Sequence, residues 1–235
     1  MPGDQQEGQA LGTVIVTGGA SGLGEAVARA IATAGGTPVI FDIATPQPDF
    51  EFEQVDLAKP REAEAAVERV AERHGGLYGV VTAAGTDACG DLGDVTAEAW
   101  ERVIAVNLIG TAAVVRAALP HLERTRGRVV TVASTLGIRA LPAATAYCAS
   151  KFGVVGFTRA LAAETANRVG VTLLIPGGMQ THFFDGRPDQ FKPPADARLN
   201  RPEDVAASVV FALSQPPGCE VRELVVAPSG ETSWP

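Results

Sequence analysis

The chain has 235 residues, 46% of them hydrophobic and 20% charged, with a formal net charge of -8. Its length and apolar content suit a sizeable globular core. Its negative balance argues against a nucleic-acid partner, because a phosphate backbone selects basic surfaces.

In chain order, residues 1–11 read as a polar, disordered tail. Thr13–Thr17 is a short apolar run ended by glycines, which predicts a buried strand. A helix is expected over Ala26–Ala34, stopped by Gly35 and Gly36. Pro38–Phe41 and Phe52–Val55 read as the second and third strands. Pro60 suits the first position of a helix whose Ala63, Ala66, Val67 and Val70 share one face. Leu77–Ala83 reads as a strand, and Ala97–Leu119 as a long helix halted by Pro120. Arg128–Ala133 is a strand, followed by a helix over about Thr145–Arg168. Val171–Ile175 is a strand closed by Pro176, Gly177 and Gly178. Pro202 opens a helix with Glu203 and Asp204 at its positive end, and Glu223–Val226 is the last strand. Strands that are continuous apolar runs, alternating with helices, predict a single doubly wound α/β domain over residues 12–235. Residues 180–201 are rich in Pro, Phe and Asp and long for a simple connection, so a substrate lid is expected there.

Cys89, Cys148 and Cys219 form no CxxC pair and no His/Cys cluster. Free thiols in a reducing, cytoplasmic compartment are therefore expected, and no metal site. The N-terminal stretch lacks the basic region and apolar run of a secretory signal. No run of about 18 uninterrupted apolar residues predicts a membrane span.

Thr17-Gly18-Gly19-Ala20-Ser21-Gly22-Leu23-Gly24 falls between a predicted strand and a predicted helix. Glycines there permit a tight turn and let backbone N–H groups approach a pyrophosphate at the helix N-terminus. The spacing is Gly18-x3-Gly22-x-Gly24 rather than GxGxxG. Asp42 ends the second strand, where a carboxylate accepts hydrogen bonds from adenosine ribose hydroxyls and repels a 2′-phosphate. No Arg or Lys stands at Ala20, Ser21, Ile43 or Ala44, so NAD is expected over NADP. Asp56 and Leu57 follow the third strand, where they can meet an adenine edge or simply face solvent.

Tyr147 and Lys151 lie one helical turn apart, thirteen residues beyond Ser134. A phenol with its usual pKa of about 10 is a poor base near neutrality. An adjacent ammonium favours the phenolate and should lower that pKa, which fits Tyr147 as acid or base beside a carbonyl or alcohol oxygen. Ser134 ends the fifth strand and can hydrogen-bond the same oxygen.

With these residues in place, the sequence resembles the short-chain dehydrogenases/reductases from Thr17 to the last strand. The resemblance is carried by TGGASGLG, Asp42, TAAG at Thr82–Gly85, Asn107 in VNLIG, Ser134, Tyr147-x3-Lys151 and PGGMQT at Pro176–Thr181. It implies a Rossmann-like parallel sheet of about seven strands flanked by helices, and NAD(P)-linked alcohol–carbonyl chemistry. It implies that Asn107 kinks its helix and anchors a proton relay through Lys151, and that Lys151 also holds the nicotinamide ribose. It places the carboxamide on Thr181 and the backbone after Pro176. The expected catalytic set is Asn107, Ser134, Tyr147 and Lys151. The expected cofactor contacts are Gly18, Ser21, Gly22, Leu23, Gly24, Asp42, Asp56, Leu57, Ala84, Gly85, Tyr147, Lys151, Pro176, Gly177 and Thr181. Two departures stand out: Thr82 replaces the family's usual Asn, with a hydroxyl still able to hydrogen-bond, and the chain ends in APSGETSWP.

The substrate is expected to meet Ser134, Leu136, Tyr147, Gly178, Met179, His182 and Phe183, with Gly137, Leu141 and Phe184 nearby and Thr86–Cys89 opposite. These residues are mostly small or apolar, and no clustered arginines stand among them, so a neutral or hydrophobic carbonyl compound is expected. The reading is an NAD-dependent alcohol–ketone oxidoreductase, homo-oligomeric as a tetramer or dimer, with no nucleic-acid or membrane partner. Its alternatives are a non-catalytic dinucleotide sensor or scaffold, and an NADPH-dependent carbonyl reductase.

Overall fold

The structure is a computed structural model that describes residues 11–47 and 50–234. Seven strands form one sheet: β1 (Thr13–Thr17), β2 (Thr37–Asp42), β3 (Glu51–Gln54), β4 (Gly79–Thr82), β5 (Arg128–Val132), β6 (Gly170–Pro176) and β7 (Glu223–Val226). All neighbouring pairs are parallel, in the order β3-β2-β1-β4-β5-β6-β7. In register, Val14 of β1 lies between Pro38 of β2 and Gly79 of β4. The chain winds outward from β1 in one direction, then crosses to β4 and winds in the other. That reversal separates the loops that follow β1 and β4 and opens a crevice at the strands' C-terminal ends.

Alternation along β1 builds both faces of the core. Val14 and Val16 pack with Val27 and Ile31 of α1 (Gly22–Thr33) and with Val205 and Val209 of α6 (Pro202–Leu213). Ile15 points the other way, into the cluster holding Val67 and Val70 of α2 (Pro60–His74), Val114 and Leu122 of α4 (Thr111–Thr125) and Leu161 of α5 (Thr145–Glu164). Helices on both faces explain why the central strands are continuous apolar runs. Pro60 opens α2 as the sequence predicts, and Gly75 closes it in the left-handed region at φ 71°.

Several boundaries differ from the sequence reading. Residues 1–10 of the expected tail lie outside the described residues, whereas Leu11 is buried in the α1/α6 cluster. Helix α1 begins at Gly22 rather than Ala26, because the glycines that read as loop form its first turn. Strand β3 runs one residue earlier, β4 is shorter, and α5 ends at Glu164 rather than Arg168. Pro120 does not stop its helix: α4 continues to Thr125 and ends at Arg126, φ 52°. Proline removes one N–H from the ladder, but buried His121 and Leu122 tie the next turn to the core. The run Ala97–Thr125 is long and apolar enough to cross a membrane by length and composition alone. Here Val103, Val114, Val115, Ala118 and Leu122 bury its apolar face within the protein.

Candidate active site

The expected cofactor contacts, and Ser134, Leu136, Tyr147, Gly178, Met179, His182 and Phe183 of the expected substrate set, border one cleft of about 950 Å³ at the C-terminal ends of the strands, whereas Gly137, Asp87, Ala88 and Cys89 do not line it. Asn107, the remaining member of the expected set, lies just behind it, buried to 1% exposure. The glycine loop forms one end. Gly18 sits at φ 70°, and a Cβ on it would come 2.6 Å from Ala84 Cα. A Cβ on Gly24 would run into the Gly18 carbonyl oxygen. Both positions therefore need glycine, one for conformation and both for space. Ser21 enters α1 in extended backbone and its side chain makes no capping hydrogen bond. The orphan N–H groups of the first turn are thus available to an anion. Gly24→Ala is expected to weaken dinucleotide binding at least about tenfold, because the loop must shift to admit the methyl group. Calorimetric titration checks this, and unchanged affinity contradicts the loop's assignment.

Asp42 caps the same end of the cleft. Its carboxylate accepts hydrogen bonds from Ala20 N and Ala44 N, each at 3.0 Å. Two oxygens offer about four acceptor sites, so capacity remains for a diol. An uncapped helix start, close-packed glycines and an anchored carboxylate together fit a dinucleotide.

At the centre, α5 carries Tyr147 and Lys151 one turn apart, with the Lys151 Nζ 5.6 Å from the Tyr147 ring centre. Lys151 is buried and donates to Val132 O at 2.9 Å, which anchors it to the end of β5. Burial pulls its ammonium down to about 8. Ser134 follows β5 and accepts from Leu136 N at 3.1 Å, holding the turn that aims it at Tyr147. The sequence predicts a lowered phenol pKa, and here the structure corrects it. Burial pushes Tyr147 up to about 12, the Ser134 hydroxyl pulls the other way, and Asp87 adds to the rise while Arg187 opposes it. In this state desolvation outweighs the help that the neighbouring groups give the phenolate.

Asn107 sits in a π-helical turn, Ala105–Gly110, between α3 (Ala97–Ile104) and α4, as a kinking residue should. Its Oδ1 accepts from Thr86 N at 2.8 Å, and its Nδ2 donates to Thr86 O and Ser150 Oγ. It thereby ties the loop after β4 to α5 beneath Lys151. Thr82 departs from expectation: its hydroxyl is buried and has no hydrogen-bond partner among the described residues.

Residues 180–201 fold over the cleft as two short 3-10 turns, His182–Phe184 and Asp189–Phe191. The Phe183 ring lies 5.6 Å from that of Tyr147. His182 instead pairs with Asp185 on the exposed rim. This segment also brings Arg187, Lys192 and Arg198 to the border of the cleft, charged residues that the expected substrate set did not include. Arg187 pairs with Asp87 at 2.6 Å, one hundred residues away in sequence. No local pattern in the sequence signals such a pair. The chain's ending also reaches the site. Glu231 Oε2 accepts from Gly178 N at 3.0 Å, Ser233 donates to Thr135 Oγ1 at 2.6 Å, and Arg139 holds Thr232 O. The unusual APSGETSWP stretch marked the ending as different, but nothing in its residue pattern located it at the cleft.

A uniformly parallel sheet with its switch point beside a glycine loop and a Ser–Tyr–Lys cluster defines a dinucleotide-linked oxidoreductase of the short-chain type. The family model for short chain dehydrogenase matches residues 12–190, and the chain belongs to that family, whose members bind a nicotinamide dinucleotide and interconvert alcohols and carbonyl compounds. It is 32% identical to 2-(S)-hydroxypropyl-CoM dehydrogenase 3 of Xanthobacter autotrophicus, covering 86% of this chain and 89% of that one. It is 33% identical to D-beta-hydroxybutyrate dehydrogenase of Rhizobium meliloti, covering 76% of each. Its fold is similar to an alcohol dehydrogenase from Thermococcus sibiricus complexed with 5-hydroxy-NADP, with a TM-score of 0.81 and 25% identity over 92% of this chain and 96% of that one.

Proposed function

We propose that this protein interconverts a small secondary alcohol and its ketone with NAD, using Tyr147 as the proton donor or acceptor. The observation that carries this reading is the convergence of Ser134, Tyr147 and Lys151 on the cleft that the glycine loop closes. NAD or NADH bound there supplies the acceptor or donor of hydride. Gly18, Ser21, Gly22, Leu23 and Gly24 would hold the pyrophosphate, Asp42 the adenosine ribose, and Asp56, Leu57, Ala84 and Gly85 the adenine side. Lys151 would hold the nicotinamide ribose, and Pro176, Gly177 and Thr181 the carboxamide. Ser134 orients the substrate oxygen while Tyr147 takes its proton in oxidation or returns one in reduction. Asn107 keeps Thr86 and Ser150 in place under Lys151, a position suited to passing that proton onward.

The choice of NAD rests on Asp42, whose charge opposes a 2′-phosphate. The NADP derivative named with the Thermococcus structure keeps the other cofactor in play. Asp42→Ala is expected to shift the NAD-to-NADP ratio of kcat/KM toward NADP at least about tenfold. Asp42→Asn, which keeps an acceptor for Ala20 N or Ala44 N, should shift it in the same direction. A ratio unchanged in both variants would remove the basis for NAD. The assay is nicotinamide absorbance with a panel of secondary alcohols and ketones. Tight dinucleotide binding with no turnover across that panel would favour a sensor or scaffold instead. Three free cysteines suit a cytoplasmic setting, and exposed Ile109 and Phe152 suit a homo-oligomer.

A further inference from the structure

Arg187 is built into the cleft in a way the proposed chemistry does not use. Its guanidinium lies 5.0 Å from the Phe183 ring centre and 4.6 Å from that of Phe184. Phe183 in turn contacts Tyr147, so the charge sits one ring away from the reacting centre. A guanidinium carries five N–H donors. Here Nη2 donates to Asp87 Oδ2 at 2.6 Å, Nη1 reaches Phe191 O at 3.5 Å, and Nε is buried without a partner among the described residues. The side chain is only 17% exposed, so bulk water does not make up the difference.

Asp87 does not depend on Arg187 for its place. Ala88 N donates to its Oδ1 at 2.7 Å, and the Cys89 thiol to its Oδ2 at 3.1 Å. Lys192 and Arg198 also border the cleft. Glu231, a carboxylate that borders the cleft, is already engaged by Gly178 N and Ser233 N. A planar fork flanked by aromatic rings in a water-poor site matches a carboxylate bidentately.

We propose that Arg187 docks a carboxylate on the substrate, which makes the substrate a short hydroxy acid or the matching oxo acid. This rests on the oxidoreductase reading for its carbinol end, and the anion site itself is tested without turnover. Asp87 serves as the internal counter-ion of Arg187 until the substrate's carboxylate joins it.

The probe is butyrate, with butyramide as its uncharged counterpart, titrated calorimetrically into the protein with and without NAD. Butyrate is expected to bind at least tenfold more tightly than butyramide. Arg187→Met alone would strand Asp87 as a buried unpaired charge, so it is made together with Asp87→Asn. That double variant should bind the two probes equally. Asp87→Asn alone should strengthen butyrate binding by removing a competing anion, whereas a purely structural salt bridge predicts a loosened 180–201 segment and weaker binding. Equal binding by the wild type, a preference that survives the double variant, or weaker butyrate binding in Asp87→Asn each overturns the proposal. Turnover of neutral secondary alcohols without any carboxylate preference would sink this inference alone and leave the oxidoreductase reading standing. A carboxylate preference lost with Arg187, in a protein whose turnover ignores Tyr147, would do the reverse.

Discussion

Tyr147→Phe is expected to lower turnover by about 10²- to 10⁴-fold while leaving dinucleotide binding intact. The substitution deletes one hydroxyl and keeps the ring that packs 5.6 Å from Phe183 and lies under Lys151. Packing is therefore conserved, and the loss reports proton transfer. With its phenol pushed up to about 12, Tyr147 holds its proton at neutral pH in the ligand-free chain. To serve as base it needs the positive charge of Lys151 and of the oxidised nicotinamide beside it. The sign of the pH dependence follows. Oxidation requires the phenolate, so its rate should rise with pH toward the phenol's pKa in the complex. Reduction requires the phenol and should fall over the same range. Stopped-flow rates in both directions between about pH 6 and pH 10 test the pair of slopes. Turnover in Tyr147→Phe above a tenth of wild type would end the assignment.

Lys151→Met should cost nearly all activity and yet stabilise the fold. Lys151 is 4% exposed, and its ammonium has fallen from 10.5 to about 8. Retaining a proton there costs about 3 kcal/mol at neutral pH. Methionine fills similar volume without charge. Losing the charge-assisted hydrogen bond to Val132 O gives back about 2 kcal/mol. The net gain of about 1 kcal/mol corresponds to a rise in Tm of roughly 2–4 °C for a chain of this size. The unfolded lysine keeps its proton up to about 10.5, whereas the folded one releases it near 8. Wild-type stability therefore recovers as pH climbs through that window, and the gap between the two proteins should close. Calorimetric melting at pH 7 and pH 10 checks both the size and the closure. A variant less stable than wild type at pH 7 would mean that Lys151 is held by more than desolvation allows.

Much of this architecture is legible in the sequence because its signals are local. Strand β7 falls at Glu223–Val226 as the residue pattern indicates, and Pro60 and Gly75 bracket α2. The glycine motif reads correctly as the turn between β1 and α1, yet Gly22 and Gly24 belong to the helix, whose first turn packs Leu23 into the core. Pro120 misleads because burial of its neighbours overrides a local preference against helix. The direction of the Tyr147 shift also escapes the sequence. A neighbouring lysine is visible at i+4, but the desolvation that wins is a property of the packed cleft. Arg187 with Asp87, and Glu231 with Gly178, are joined only by tertiary folding across 100 and 53 residues. No periodicity encodes contacts at that range.

The anchoring of Glu231, Thr232 and Ser233 has a practical corollary for handling the protein. Substitutions at Glu231 or Ser233 would loosen the strap that pins Gly178 at the rim of the reaction chamber. Thr13, where β1 begins, lies at the other end of its strand from the cleft, so a substitution there leaves the chamber untouched.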